Sequence, residues 1–213
     1  MKVSAERLPV AGLVPLTTVD YPGHLAMVVF TQGCRWHCPY CHNGAMRRLG
    51  VPGQIPWAQV CEQLERRRGF LEAVVFSGGE PTLHAALEPA LRQVRAMGFL
   101  TGLHTAGMCP DRLRRMLPLL DWVGLDLKAP FDERYPRLTG DSHSAARVQA
   151  SLALVRSANI PYQLRTTVPP TPEGERDFAD LCASLDRQGI PRSLRQVARG
   201  ASREKPLILP GSG

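Results

Sequence analysis

Residues 25–43 read LAMVVFTQGCRWHCPYCHN, in which an uncharged apolar run leads directly into a loop with three cysteines. The run at 25–31 is rich in β-branched and aromatic residues, which predicts a strand covered on both faces. Cys34, Cys38 and Cys41 follow with the spacing C-x3-C-x2-C. Three thiolates in one loop can hold three irons of a cubane cluster and leave the fourth iron without a protein ligand. The loop therefore predicts a cluster that is open to a small molecule.

Outward from this loop, short β-rich runs alternate with longer helical patterns, which favours βα units around a parallel sheet. Later strands are predicted at 73–77, 100–105, 122–127 and 163–168, with a weaker strand at 195–197. Helices are predicted at 57–68, 83–97, 110–120, 144–158 and 173–188. The predicted fold class is therefore α/β, a partial (β/α)6-type barrel of five or six parallel units.

The domain organisation follows from length and pattern. A chain of 213 residues suits a single domain with one core. We expect residues 1–24 to form an N-terminal extension that ends in a turn at Asp20-Tyr21-Pro22-Gly23, where proline and glycine occupy the centre. From about residue 190 to residue 213 we expect a C-terminal segment whose structure the pattern determines poorly.

The formal charge of +7 comes almost entirely from arginine, because the only lysines are Lys2, Lys128 and Lys205. Basic and acidic residues alternate, and no basic stretch is interleaved with aromatics, so nucleic-acid binding is not expected. The N-terminus lacks the apolar core of a signal peptide, and no apolar run is long enough to span a bilayer. We therefore expect a cytoplasmic protein without a membrane partner. In that compartment the cysteines are expected to bind metal or take part in catalysis and not to form disulfides.

Chemistry-bearing residues outside the cysteine loop fall where the predicted strands end. Ligands of parallel sheets collect at these carboxyl ends, since loops and helix N-termini converge there. Gly78, Gly79 and Glu80 follow the second strand, and Thr105 marks the end of the third. Asp126 and Lys128 lie at the end of the fourth strand and Arg165 within the fifth. Asp126 and Lys128 lie on one face at period two, for which a structural salt bridge at the strand end is the alternative explanation. Together the positions predict one site made by consecutive strands.

Other interpretations of the cysteine loop remain open at this point. Structural zinc would use the three cysteines with His37 or His42. Residues 38–41 alone form the C-x-x-C of a redox dithiol, and His42 completes a haem-attachment pattern. None of these explains the residues at the later strand ends. Three scattered cysteines are interpreted as bystanders: Cys61, Cys109 and Cys182.

With Tyr40 before its third cysteine, the loop resembles that of the radical S-adenosylmethionine (SAM) superfamily. The resemblance implies a [4Fe-4S] cluster on Cys34, Cys38 and Cys41, whose open iron binds the amino and carboxylate groups of SAM. It also implies that one-electron reduction of the cluster cleaves SAM to methionine and a 5′-deoxyadenosyl radical.

The same resemblance implies cofactor contacts elsewhere. Residues 78–80 match the GGE motif that contacts the methionyl ammonium group. Asp126 and Lys128 match the acid and lysine that hold the ribose hydroxyls and the carboxylate of SAM, and Arg165 would be a second cation there. His104 departs from the pattern, since relatives often carry an acid at this position. The remaining expected cofactor-binding residues are Tyr40, His42 and Thr105.

Residues 12–23, continuing through the cysteine loop to Asn43, resemble the activating proteins of anaerobic ribonucleoside-triphosphate reductases. The likeness covers about residues 11–170. It implies hydrogen abstraction from a backbone glycine of the reductase, with a flavodoxin- or ferredoxin-like electron donor. The open alternatives are an activase of the pyruvate formate-lyase type, a 7-carboxy-7-deazaguanine synthase-like radical SAM enzyme, and a non-catalytic Fe-S or zinc interaction module.

Overall fold

The structure, a computed structural model, describes residues 3–198. Within these residues seven strands form one sheet whose order follows the chain. The strands are β1 (Val10–Thr17), β2 (Ala26–Thr31), β3 (Ala73–Gly78), β4 (Leu100–Thr105), β5 (Trp122–Asp126), β6 (Tyr162–Val168) and β7 (Leu194–Val197). The α-helices are α1 (Trp57–Glu65), α2 (Leu87–Ala96), α3 (Pro110–Met116), α4 (Arg134–Thr139), α5 (Ser144–Ser157) and α6 (Pro172–Arg187).

The sheet is parallel except at one edge. Neighbouring strands from β2 to β7 are parallel, whereas β1 pairs with β2 in the antiparallel direction. The register places Thr31 beside Gly78 and Asp126 beside Arg165, so the carboxyl ends of the parallel strands share one edge of the sheet. The outer strands β1 and β7 do not pair with each other in the described part of the chain. The predicted partial barrel is therefore confirmed as an open sheet.

Both faces of the central strands are buried, but against different partners. Met27 of β2 belongs to the main core, which the helices cover. Its neighbour Ala26 belongs to a small cluster on the inner face, together with Tyr21 and Trp122. The rings of Tyr21 and Trp122 lie 5.5 Å apart between centroids. Because Ala26 and Trp122 begin their strands, this cluster fills the inner face at the amino ends and leaves the carboxyl ends to a site.

The outer helices follow the 3.6-residue period of their apolar side chains. In α2, the buried residues are Leu87, Ala90, Leu91 and Val94. The N-terminus of α6 is capped by Thr171, whose side chain accepts a hydrogen bond from the backbone N–H of Gly174. No helix within residues 3–198 combines the length and apolar character needed to cross a membrane.

Several elements differ from the sequence prediction. The expected extension contains β1, which pairs with β2 along its length and accepts further hydrogen bonds at Val10 from Gln54 and Ile55. The short helix α4 was not predicted, and Pro136 lies inside it. The predicted helix 83–97 is wrong at its start, because Pro81–Leu83 forms a separate 3-10 turn capped by Glu80 before α2 begins. The weak strand at 195–197 is confirmed within β7. Lys2, Lys205 and the segment 199–213 lie outside the described residues.

Candidate functional site

The cysteine loop leaves β2 and is anchored to distant parts of the chain. The backbone N–H of Cys34 donates to the carbonyl of Arg47 at 3.0 Å. Trp36 is 2% exposed, and its Nε1 donates to Asp141 Oδ2 at 3.1 Å. The loop is therefore held both by the segment that follows it and by the connection between α4 and α5.

A cavity of about 290 Å³ opens at the carboxyl edge of the sheet. Nearly all residues predicted for the site line it, namely Cys34, Cys38, Tyr40, Cys41, His42, Gly78, Gly79, Thr105, Asp126, Lys128 and Arg165. The fold thus brings the cysteine loop together with the ends of β3, β4, β5 and β6. Glu80 is the predicted site residue that does not line the cavity.

Close backbone contact requires the glycines after β3. A Cβ atom on Gly79 would lie 2.2 Å from the carbonyl oxygen of Gly33, and one on Gly78 would lie 2.4 Å from the backbone nitrogen of Thr31. Gly78 also has a φ of +113°, which favours glycine. Asn43 Nδ2 donates to the Gly78 carbonyl at 3.0 Å. The turn is therefore built so that bare backbone reaches the cavity wall.

Glu80 lies one layer behind this wall and is 1% exposed. Its carboxylate accepts hydrogen bonds from Thr82 Oγ1 at 2.6 Å, Thr105 Oγ1 at 2.7 Å and the backbone N–H of Ala106 at 2.8 Å. Burial raises the pKa of Glu80, and these hydrogen bonds oppose that rise. Glu80 thus holds Thr105 and Ala106 from behind the cavity wall, and the direct cofactor contact that the motif implies stays a prediction.

Asp126 is shared by two cations at the end of β5. Lys128 Nζ lies 3.2 Å from Asp126 Oδ2, and Arg165 Nη2 lies 3.0 Å from Asp126 Oδ1. Burial alone would raise the pKa of Asp126, but Arg165 and Lys128 hold it well below its usual range. Burial also opposes the charge of Lys128, whose pKa is raised by Asp126. The salt bridge that the spacing left open as an alternative does form, and because Lys128 and Arg165 share this one carboxylate, the trio suits the approach of an anionic group.

His104 connects this charge cluster to the turn before β2. His104 Nε2 lies 3.0 Å from Arg165 Nη1 and 2.8 Å from the carbonyl oxygen of Asp20. Burial, and then Arg165, lower the pKa of His104 to about 4, so the ring is neutral at neutral pH. A neutral Nε2 either accepts from Arg165 or donates to Asp20, so the two hydrogen bonds exclude each other at any moment.

The comparison with protein families agrees with this geometry. Residues 28–184 match the family described as the radical SAM superfamily. The chain belongs to the radical SAM superfamily. The matched range contains the whole cysteine loop and the strands β3 to β6. The chain is therefore an enzyme that generates radicals, and its family implies a [4Fe-4S] cluster and SAM as cofactors.

Similar proteins narrow the position of the chain within the radical SAM superfamily. MJ1227 of Methanocaldococcus jannaschii, provisionally named a glycyl-radical enzyme activating enzyme, is 31% identical over 185 residues, covering 83% of this chain and 75% of that protein. The pyruvate formate-lyase-activating enzyme of Clostridium pasteurianum is 29% identical over 158 residues, covering 72% of this chain and 65% of that enzyme. This radical SAM chain is thus related to activating enzymes of glycyl-radical enzymes.

A solved structure shows that the fold is shared more widely. Native anSMEcpe with bound AdoMet and the Cp18Cys peptide superposes on this chain with a TM-score of 0.61. The sequences are 17% identical, and the superposition covers 81% of this chain and 50% of that chain. At this identity the likeness concerns the radical SAM fold alone.

The donor set of this radical SAM chain fits a cluster better than a single metal ion. Over residues 3–198, no group of three or more His, Cys, Asp or Glu side chains is arranged to hold one ion. In a cubane each thiolate binds a different iron, so the three sulfurs need not converge on one point, and Cys34, Cys38 and Cys41 line a common cavity. Burial raises the pKa of Cys34 to about 12 and also raises that of Cys38. Iron must therefore displace thiol protons when it binds.

Tyr40 stands between the cofactor cavity and a second cavity of about 310 Å³ beside α6, and it lines both. Its hydroxyl donates to the carbonyl of Lys128 at 3.2 Å.

Sequence reasoning missed several other residues that line the cofactor cavity, namely Asp20, Phe30, Trp36, Asn43, Ser77, Ala106, Thr167 and Gln196. Asp20 and Asn43 carried a signal, because both belong to the stretch that resembles reductase activating proteins. The three scattered cysteines do not line the cofactor cavity.

Proposed function

We propose that this enzyme cleaves SAM reductively and generates a glycyl radical on an anaerobic ribonucleoside-triphosphate reductase. The observation that carries the proposal is the position of the segment 12–23. Its Asp20 lines the cofactor cavity, and its Tyr21 packs inside the barrel. The stretch that resembles reductase activating proteins is therefore part of the site, where it can influence which substrate enters.

In this proposal, Cys34, Cys38 and Cys41 each ligate one iron and leave the fourth iron to SAM. When bound by these cysteines, such a cluster would supply the electron that splits SAM into methionine and a 5′-deoxyadenosyl radical. Trp36 and the backbone contacts of the loop hold the three thiolates in place while the cofactor binds and leaves. The electron donor is proposed to be flavodoxin- or ferredoxin-like, and the reaction to take place in the cytoplasm, where cysteines stay reduced.

The strand ends provide complementary groups for SAM. The backbone of Gly78 and Gly79 is proposed to accept hydrogen bonds from the ammonium group. Lys128 and Arg165 are proposed to receive the carboxylate, because the two cations share the single carboxylate of Asp126. Asp126 is proposed to accept from the ribose hydroxyls. The proposed contacts of the cavity wall are completed by Tyr40, His42 and Thr105.

The open side of the barrel suits a protein substrate. The outer strands β1 and β7 leave the described sheet unclosed, and Gln196 of β7 and Asp20 of the β1–β2 connection both line the cavity. A loop that enters between them would bring a backbone glycine to the cofactor. Hydrogen abstraction needs near-contact distance and exclusion of water, so we expect the partner loop to close the cavity.

The test mixes the anaerobically reconstituted, reduced enzyme with SAM and the reductase of the same cell. We expect a glycine-centred doublet in the electron paramagnetic resonance spectrum, and we expect its splitting to change when the reductase carries deuterated glycine. Cleavage of SAM without a doublet on the reductase would refute the choice of partner. Absence of SAM cleavage would refute radical SAM catalysis itself.

A second candidate is activation of an enzyme of the pyruvate formate-lyase type. It is favoured by the name of the Clostridium pasteurianum relative, which shares 29% of its residues over 72% of this chain. The same experiment separates the two candidates when pyruvate formate-lyase replaces the reductase. A doublet that forms on pyruvate formate-lyase and not on the reductase would select the second candidate.

A further inference from the structure

A cleft of about 520 Å³ lies beside the cysteine loop, outside the cofactor cavity. We refer to it as the arginine cleft, after its charged lining residues Arg35, Arg112, Arg115, Arg147 and Asp111. It shares no lining residue with the cofactor cavity. Cys34 and Trp36 line the cofactor cavity, whereas Arg35 between them lines the cleft. The arginine cleft therefore approaches the cysteine loop from the opposite side.

Most of the positive charge in the arginine cleft is not neutralised by carboxylates. Arg147 Nη1 lies 2.7 Å from Asp141 Oδ2, and within residues 3–198 it is the one cleft arginine with such a partner. Arg112 donates instead to the backbone carbonyls of Thr82 and Leu83, which leaves its charge in place.

The other two arginines of the cleft are free to meet a partner. Arg35 and Arg115 are exposed, and the described part of the chain places no carboxylate at ion-pair distance from either. Among the described residues that line the cleft, Asp111 is the only acidic one. Burial has the largest influence on the pKa of the nearby Cys109 thiol and raises it, while Arg112 and Arg35 lower it. The guanidinium groups of Arg35, in the cysteine loop, and of Arg112, in α3, thus both influence the Cys109 thiol in the cleft.

We infer that the arginine cleft docks an acidic one-electron carrier protein that reduces the cluster. This inference rests on the proposed function, because reductive cleavage of SAM is what requires an external electron. One electron passes from the reduced carrier to the oxidised cluster, so the carrier is oxidised by one electron, the cluster is reduced by one, and no bond or proton is exchanged. A carrier in the cleft touches Arg35, the residue that directly follows the cluster ligand Cys34.

The alternative occupant, the glycine-bearing partner, fits this surface less well. That partner must deliver a backbone atom into the cofactor cavity, which opens on the other side of the cysteine loop. An electron needs only a short path to the cluster. Exposed charges accelerate encounter more than they strengthen binding, which suits a carrier that must dock and leave in every turnover. Because the arginine cleft and the cofactor cavity are separate surfaces, the electron carrier and the glycine-bearing partner can bind without competing.

The test uses two neighbouring arginines of α3 as a matched pair. Arg114 and Arg115 are both exposed, and the change to Glu alters the net charge equally at each, but only Arg115 lines the cleft. The probe is a purified flavodoxin with an acidic surface, fully reduced and mixed with the cluster-loaded enzyme in a stopped-flow spectrometer. At an ionic strength of about 0.1 M, electrostatic interactions are screened beyond about 10 Å. The rate of cluster reduction then depends on where the altered residue lies and not on the net charge of the enzyme.

We expect Arg115→Glu to lower the second-order rate constant of cluster reduction by about tenfold, and Arg114→Glu by less than about twofold. Isothermal titration with oxidised flavodoxin measures binding independently of activity. We expect Arg115→Glu to weaken this binding more than Arg114→Glu does. With photoreduced deazaflavin, a small reductant that needs no docking, all three proteins should cleave SAM at the same rate.

Equal effects of the two variants, including no effect of either, would overturn the docking assignment. A loss of glycyl radical in Arg115→Glu under deazaflavin photoreduction would also overturn it, since the cleft would then bind the glycine-bearing partner. If the unaltered enzyme fails to cleave SAM under photoreduction, the proposed function is refuted and the docking assignment with it. The photoreduction arm therefore distinguishes the two failures.

Discussion

At the scale of single residues, Lys128 forms an ion pair with Asp126, and Arg165 forms a second ion pair with the same carboxylate. Because Arg165 remains paired with Asp126, removing Lys128 does not leave a buried carboxylate without a cation. We predict that Lys128→Ala keeps the fold and the cluster but weakens SAM binding by well over tenfold, since loss of one charged partner in a partly buried contact costs about 2 to 5 kcal/mol. An anaerobic equilibrium titration measures the affinity.

The control for this variant is Arg114→Ala, which removes an exposed cation that does not line the cavity. It should leave the affinity for SAM unchanged. If Lys128→Ala also leaves the affinity unchanged, the pair of Lys128 and Asp126 serves only as a structural salt bridge.

At the scale of elements, β3 and the cysteine loop meet through backbone at Gly79. A methyl group there would lie 2.2 Å from the carbonyl oxygen of Gly33, so one of the two segments must shift. We predict that Gly79→Ala lowers the free energy of unfolding by about 1 to 3 kcal/mol, the usual range for overpacking. We also expect a lower iron content, because the loop carrying the cysteines is displaced. Urea denaturation and metal analysis measure the two effects.

Gly44→Ala is the matched control for this prediction. Gly44 follows the same loop, but a Cβ atom on it would meet no atom within 4 Å. Its free energy of unfolding should change by no more than about 0.5 kcal/mol, as at other open surface positions. Equal stability of both variants would show that the backbone around Gly79 accommodates a methyl group without loss of free energy of unfolding.

At the scale of the whole molecule, the inner face of the sheet divides into a packed end and an open end. Tyr21 is 6% exposed and packs on Trp122 beneath the cofactor cavity, so it joins the N-terminal segment to the barrel. We predict that Tyr21→Ala lowers the free energy of unfolding by about 3 kcal/mol, because a large cavity is left in the core. Urea denaturation measures the change.

Phe70→Ala provides the comparison, since Phe70 is an aromatic residue that is 55% exposed. We expect its free energy of unfolding to change by about 0.5 kcal/mol or less. A similar loss in the two variants would mean that the N-terminal segment contributes little to the packing of the barrel.

The sequence by itself located most of the parallel strands and the predicted residues that line the cofactor cavity. Strands buried on both faces are continuous apolar runs, so most of the parallel strands could be located from their own residues, whereas β7, which is exposed along its length, gave only a weak pattern. The cysteine spacing is also local, since all three thiolates lie within residues 34–41. Asp126 and Lys128 could be placed in the site because their strand ends at the edge where ligands of parallel sheets bind.

The tertiary structure alone decided the features that depend on distant contacts. β1 exists as a strand because β2 offers it an edge, and its own residues give a weak strand pattern. The hydrogen bond from Trp36 to Asp141 joins positions more than a hundred residues apart, and the contact between His104 of β4 and Arg165 of β6 spans the intervening strand β5. The position of Glu80 behind the cavity wall follows from hydrogen bonds to the end of β4. Local pattern encodes which segments become strands, whereas such contacts arise only when the sheet has assembled, because they depend on the three-dimensional position of both partners.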